Sequence, residues 1–139
     1  MTRLRDFRPT TLDGHASPQL RVSWKTGMFF ETRVWQFLIF LPRWLITTEG
    51  QERICTDEDQ TNLEELLQRD FGGYTSSTTD VIGVGHRGAA FEKNVHRQIT
   101  VLASRWRGTK RYFGALRKEL EECSGEETIL ILRQELVIA

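Results

Sequence analysis

The stretch Val34 to Leu41, VWQFLIFL, constrains the fold of this chain more than any other. Only Gln36 is polar in it, so it reads as a strand apolar on both faces, the pattern of a central strand covered on at least one side. The apolar run continues to Ile46 but is interrupted at Gln36, Pro42 and Arg43. It falls short of the roughly 20 apolar residues that a membrane-crossing helix needs. Pro42 lacks a backbone N–H and is expected to limit the strand or to mark a sheet edge.

The remaining elements follow from punctuation and period. CTDEDQTNLEELLQRDFGG (55–73) predicts a helix, with Thr56 as N-cap and Asp57, Glu58 and Asp59 in the first turn, where negative charge suits the helix dipole. Leu63, Leu66 and Leu67 share its apolar face, and Gly72 and Gly73 supply a left-handed stop. TDVIGVGH (79–86) is strand-like. In NVHRQITVLASR (94–105), Val95, Ile99, Val101 and Ala103 alternate with His96, Gln98, Thr100 and Ser104, which predicts a strand paired to the previous one as a hairpin. TKRYFGALRKELEECSG (109–125) places Tyr112, Phe113, Leu116, Leu120 and Cys123 on one helical stripe and ends at Gly125. TILILRQELVI (128–138) is a last strand.

The order β-α-β-β-α-β predicts an α+β, ferredoxin-like fold: a four-stranded antiparallel sheet with two helices on one face. Residues 1–27 carry Pro9, Gly14, Pro18 and Gly27 and little periodicity, which predicts an extended N-terminal arm before a single domain over 28–139. Leu4, Phe7, Leu20, Val22 and Trp24 are its apolar residues. The opening residues hold basic charge but no apolar core, so they make no secretory signal, and a cytoplasmic protein without membrane attachment is expected.

Two cysteines, Cys55 and Cys123, are too few for a disulfide framework and have no metal-ligand spacing. With 19 basic and 19 acidic residues the chain is formally neutral, which excludes a globally basic nucleic-acid coat. Charge is nevertheless segregated, with balances of +4 over 1–46, −7 over 47–80, +6 over 81–111 and −3 over 112–139.

Gly83-x-Gly85-x-x-Gly88 after a strand has the form of a dinucleotide fingerprint. That motif needs a helical crossover within about 30 residues, and only Ala89 to Gln98 separates it from the next strand. No cofactor is expected. Placed around Phe91, the hairpin turn sets His86 opposite His96, close enough to share a metal or proton, with Glu92 or Asp80 as a third group. The plain alternative is a pair of solvated side chains. SRWRGTKRYF (104–113) gathers Arg105, Arg107, Lys110 and Arg111 around Trp106 and Tyr112, a mixture able to pair phosphates and stack bases. Against this stands a basic helix start over core aromatics, although cations there oppose the helix dipole. The hydroxyl-rich FGGYTSSTTD (71–80) is a turn or an anion loop. Neither a nucleophile elbow nor a Cys-x-x-Cys occurs, so the sequence gives enzymatic activity no support.

LEELLQRDFGGYTSS, FEKNVHRQITVLAS, YFGALRKELEE and ETILILRQELVI together resemble a family of small bacterial proteins of unknown function, marked by a Phe-Gly-Gly-x-Thr turn. The resemblance covers about residues 55–138 and implies a ferredoxin-like fold and no activity.

Three functional expectations result. In the first, Leu38, Phe40 and part of ILIL leave an uncovered apolar sheet face, and the protein is a non-catalytic binding or assembly module that forms a homodimer or engages a protein partner through it. In the second, it binds nucleic acid through Arg105, Trp106, Arg107, Lys110 and Arg111. In the third, it is a small enzyme using His86 and His96.

Overall fold

A computed structural model describes Leu4, Phe7 and residues 32–87, 90–125 and 129–138, with 86, 87, 90 and 91 described by backbone alone. Its elements are β1 (Arg33–Thr47), β2 (Gly50–Arg53), α1 (Asp57–Phe71), β3 (Thr75–Ser76), β4 (Val81–Arg87), β5 (Ala90–Ala103), α2 (Arg107–Ser124) and β6 (Ile131–Val137). All strand pairings are antiparallel. β1 and β5 pair along nearly their whole lengths at the centre; β6 and β2 flank successive parts of β1, while β3 and β4 flank successive parts of β5.

The expected four-stranded ferredoxin-like sheet is therefore corrected to a six-stranded sheet curled into a half-barrel. Pro42 is the first reason. It does not end the strand: it stays in register with His96, and the ladder then slips so that Trp44, not Arg43, faces Val95. Arg43 is a bulge residue, and a bulge both tolerates the missing proline donor and bends the strand. β1 thereby reaches 15 residues against 14 in β5. Twist accumulated over two such long strands curls the sheet. The second reason lies in β2 and β3. The four residues of β2 are all exposed and polar or glycine, and β3 is two residues long, so neither has an apolar period to betray it. Gly50, at φ 138°, closes the β1–β2 turn in a conformation that favours glycine.

The core forms where the inward positions of β1 and β5 meet the helices. Phe37, Ile39 and Leu41 alternate with outward residues, as do Ile99, Val101 and Ala103, and all six are buried against Leu63, Leu66, Leu67 and Phe71 of α1 and Tyr112, Phe113, Leu116 and Leu120 of α2. Each buried Val, Leu, Ile or Phe among them contributes roughly 1.5–3 kcal/mol by leaving water. Phe37 stacks on Phe113 with ring centroids 3.8 Å apart, fixing α2 over the middle of β1.

The helix punctuation is as expected. Thr56 caps α1 in a full capping box with Asp59, and Gly72 ends the helix left-handed at φ 81°. Gly125 ends α2 at φ 73°. Of the expected N-terminal arm, Leu4 and Phe7 are buried in the core, and residues 8–31 lie outside the described residues.

Candidate functional site

The outward face of α2 gathers a row of positive charges. At 100° per residue, Arg107, Lys110, Arg111, Arg117 and Lys118 fall on one side of the helix, opposite the buried Thr109, Tyr112, Phe113, Leu116 and Leu120. All five cations are exposed. They cover eleven residue steps, or about 16 Å at 1.5 Å per residue. Arg117 lies 3.9 Å from Glu121, and the other four have no carboxylate partner among the described residues. The first turn of α2 contains no acidic residue and Trp106 makes no side-chain cap, so Arg107, Lys110 and Arg111, at its N-terminal end, oppose the helix dipole without local compensation.

Beside this stripe an open groove of about 330 Å³ separates α2 from β6. Lys110, Gly114 and Arg117 form its helix side, Ile131 and Arg133 its strand side, and Phe37 and Phe113 its apolar floor. Arg133 stands opposite Phe37 in the β1–β6 ladder, and its guanidinium lies 4.7 Å over the Trp35 ring.

The structure sorts the basic residues expected from the sequence into two sets. Arg107, Lys110 and Arg111 belong to the stripe. Arg105 precedes the helix and turns to β6, where it pairs with Glu135 at 3.2 Å. Trp106 lies over Gly108, whose hypothetical Cβ would come within 2.3 Å of the indole. The ring therefore has one face against the backbone. Sequence reasoning missed Arg117, Lys118 and Arg133. The first two continue the helical period of Arg107, Lys110 and Arg111 and were readable from it; Arg133 joins them only through the sheet topology.

The ladder does not bring the two expected histidines together. The hairpin reverses after Arg87, which pairs with Ala90, so His86 stands opposite Phe91 and His96 opposite Val81. Five positions separate them, roughly 16 Å along the strand. Glu92 faces Gly85 and Thr47, four positions from His96. Asp80 bonds Arg97 at 2.9 Å. No group of three metal-ligating side chains occurs among the described residues.

His96 is half-buried with its ring edge-on to Phe40 at 5.0 Å, and its Nε2 is buried without a hydrogen-bond partner among the described residues. Burial holds its pKa below the ordinary histidine value, against the opposing pull of a backbone hydrogen bond at Asn94 and of the Asp80 charge. That environment suits a neutral, packed imidazole.

The other candidate loops are consumed by the fold. Gly83 and Gly85 lie within β4, and a strand follows rather than a crossover helix. In the 71–80 loop, Thr75 and Ser76 form β3, and Ser77 exchanges bonds with Gln98: its N–H donates to the Gln98 carbonyl, and its Oγ accepts from the Gln98 N–H. At the acidic start of α1, Arg43 and Arg53 both bond Asp57, which lowers its pKa chiefly through the Arg43 hydrogen bond, and Asp59 is held in the capping box. Two of its three carboxylates are thus engaged within the chain.

The outer sheet face carries a second surface. The ladder places Leu132 beside Leu38, and Phe40 donates its N–H to the Leu130 carbonyl; Leu102, Leu130 and Leu132 are exposed. No helix among the described residues is long and apolar enough to cross a membrane.

Compared with protein-family models, with curated proteins and with solved structures, the chain matches none.

Proposed function

We propose that this protein binds nucleic acid through the outward face of α2. The observation that supports the reading is the stripe of Arg107, Lys110, Arg111, Arg117 and Lys118, four of which have no carboxylate partner among the described residues. Five like charges within three turns repel one another, and each adverse i,i+4 pair costs a helix a few tenths of a kcal/mol. A phosphate backbone laid along the stripe reverses that cost and releases its condensed counterions. Sequence readout has no obvious carrier on α2, so binding is expected to be largely sequence-independent.

The test is the salt dependence of binding. With all five cations engaged, the log–log slope of affinity against salt is about −3.5 for a single strand and about −4.5 for a duplex. Fluorescence anisotropy of labelled 20-mers measures it directly. The double variant Lys110→Gln/Arg117→Gln should flatten the slope by about 1.4–1.8. An unchanged slope, or no binding by the parent protein at low salt, rejects the proposal.

A second reading, self-association through the outer sheet face, draws support from exposed Leu102, Leu130 and Leu132 beside half-buried Leu38 and Phe40. Contiguous apolar surface of this kind marks contact sites. Sedimentation of Leu132→Lys against the parent protein tests it: a dimer in both, or a monomer in both, ends that reading.

A further inference from the structure

A phosphate-binding stripe has no use for an apolar groove, yet one opens directly beside it. Three features of that groove point the same way.

Gly114 sits mid-helix, where glycine is the poorest residue but proline. No heavy atom would lie within 4 Å of a Cβ at that position, so packing does not demand its absence. Gly108 is the contrast, because there the Trp106 ring occupies the space. What Gly114 leaves is room at the groove between Lys110 and Arg117. The second feature is Arg133, whose planar guanidinium lies 4.7 Å over Trp35 while the same side chain lines the groove. A guanidinium plane is a surface on which an unpaired base stacks. The third is composition: cations from helix and strand flank a floor of Phe37 and Phe113, in about 330 Å³, the low end of small-ligand sites. Bases stacked inside a duplex cannot reach such a floor; only an unpaired base can.

We infer that the α2 interface takes single-stranded nucleic acid, with one unpaired base entering the groove over Gly114 against the Arg133 guanidinium while Lys110 and Arg117 hold the flanking phosphates. This rests on the nucleic-acid reading of α2 and names its substrate class.

The experiment compares a labelled 20-nucleotide single strand with a 20-base-pair duplex for the parent protein, Gly114→Leu and Arg133→Lys. Both variants keep every charge. Gly114→Leu fills the groove from a position with free space, and Arg133→Lys removes only the planar surface. The expected result is a parent preference for the single strand and at least a tenfold loss of single-strand affinity in each variant, with duplex affinity and salt slopes unchanged. Equal affinity of parent and folded Gly114→Leu for the single strand, or parent-like affinity in Arg133→Lys, overturns the groove while leaving the stripe intact. No binding of either nucleic acid by the parent overturns both. Circular dichroism establishes that each variant is folded, and Arg133→Lys, on an exposed strand position, keeps the question answerable should Gly114→Leu not fold.

Discussion

Changing Tyr112 to Phe removes one oxygen from the centre of the molecule, and its cost can be worked from the geometry. Tyr112 is fully buried, with Phe7 and Phe71 edge-on to its ring at 5.5 and 4.9 Å. Its hydroxyl donates to Asp70 Oδ2 at 2.7 Å. Asp70 also accepts from Arg69 Nε and Nη2, each at 2.7 Å, and Arg69 Nη2 donates to the Phe7 carbonyl at 2.7 Å. Burial, with the Asp70 bond, drives the phenol pKa far above its ordinary value, so the group stays a donor at any working pH. Phenylalanine keeps the ring contacts and leaves Asp70 paired with Arg69. The loss is one hydrogen bond to a charged acceptor, about 2 kcal/mol. Asp70→Ala is more severe, since it strands a buried hydroxyl and removes the carboxylate that Arg69 pairs with. With the Arg69 side chain 30% exposed, water compensates part of that loss, which leaves about 3 kcal/mol. In Tyr112→Phe/Asp70→Ala no hydroxyl is stranded, so the double variant should fall short of the sum by about 1–2 kcal/mol. Urea denaturation followed by circular dichroism closes the cycle. Additive losses, or a Tyr112→Phe cost below about 0.5 kcal/mol, would refute the network. Nucleic-acid affinity should be unchanged in Tyr112→Phe, because the ring points away from the stripe.

Two further variants probe His96 and Gly108. His96 is held neutral by burial and takes up a proton on unfolding, so its contribution to stability is complete above its ordinary value of 6.5 and is lost as the pH falls through its lowered folded-state value. Urea midpoints at pH 7.5 and 5.5 should therefore differ more in the parent than in His96→Gln, and an identical difference would contradict the burial argument. Gly108→Ala should displace the Trp106 indole, at a cost of about 1–3 kcal/mol with a changed near-ultraviolet circular dichroism spectrum; a spectrum and midpoint identical to the parent's would show that the ring does not cover Gly108.

Much of the fold was legible in local chemistry. Thr56, Gly72 and Gly125 mark the helix ends because caps are local, and the alternation of Val95 to Ala103 announces β5 because a strand with one buried face has period 2. Pro42 misled because a bulge at Arg43 is a tertiary accommodation that no single residue announces. The hairpin register failed for a similar reason. A turn reversing after Arg87 rather than around Phe91 separates His86 from His96, and a shift of that kind re-pairs every residue along the ladder. Part of the candidate site lay in plain view as the helical period of Arg107, Lys110, Arg111, Arg117 and Lys118, but the linear segment 105–111 cut it short. Arg105 was misplaced because it precedes the helix and pairs with Glu135, and Arg133 enters only because β6 lies beside β1.

Photo-crosslinking of a thymidine-rich single strand to the protein, with adducts mapped by mass spectrometry, tests whether α2 and its groove hold the nucleic acid. Adducts concentrated on residues 107–118 and on Arg133 are the predicted result. Adducts confined to the outer sheet face around Leu38, Leu102 and Leu132, or none at low salt, would contradict it.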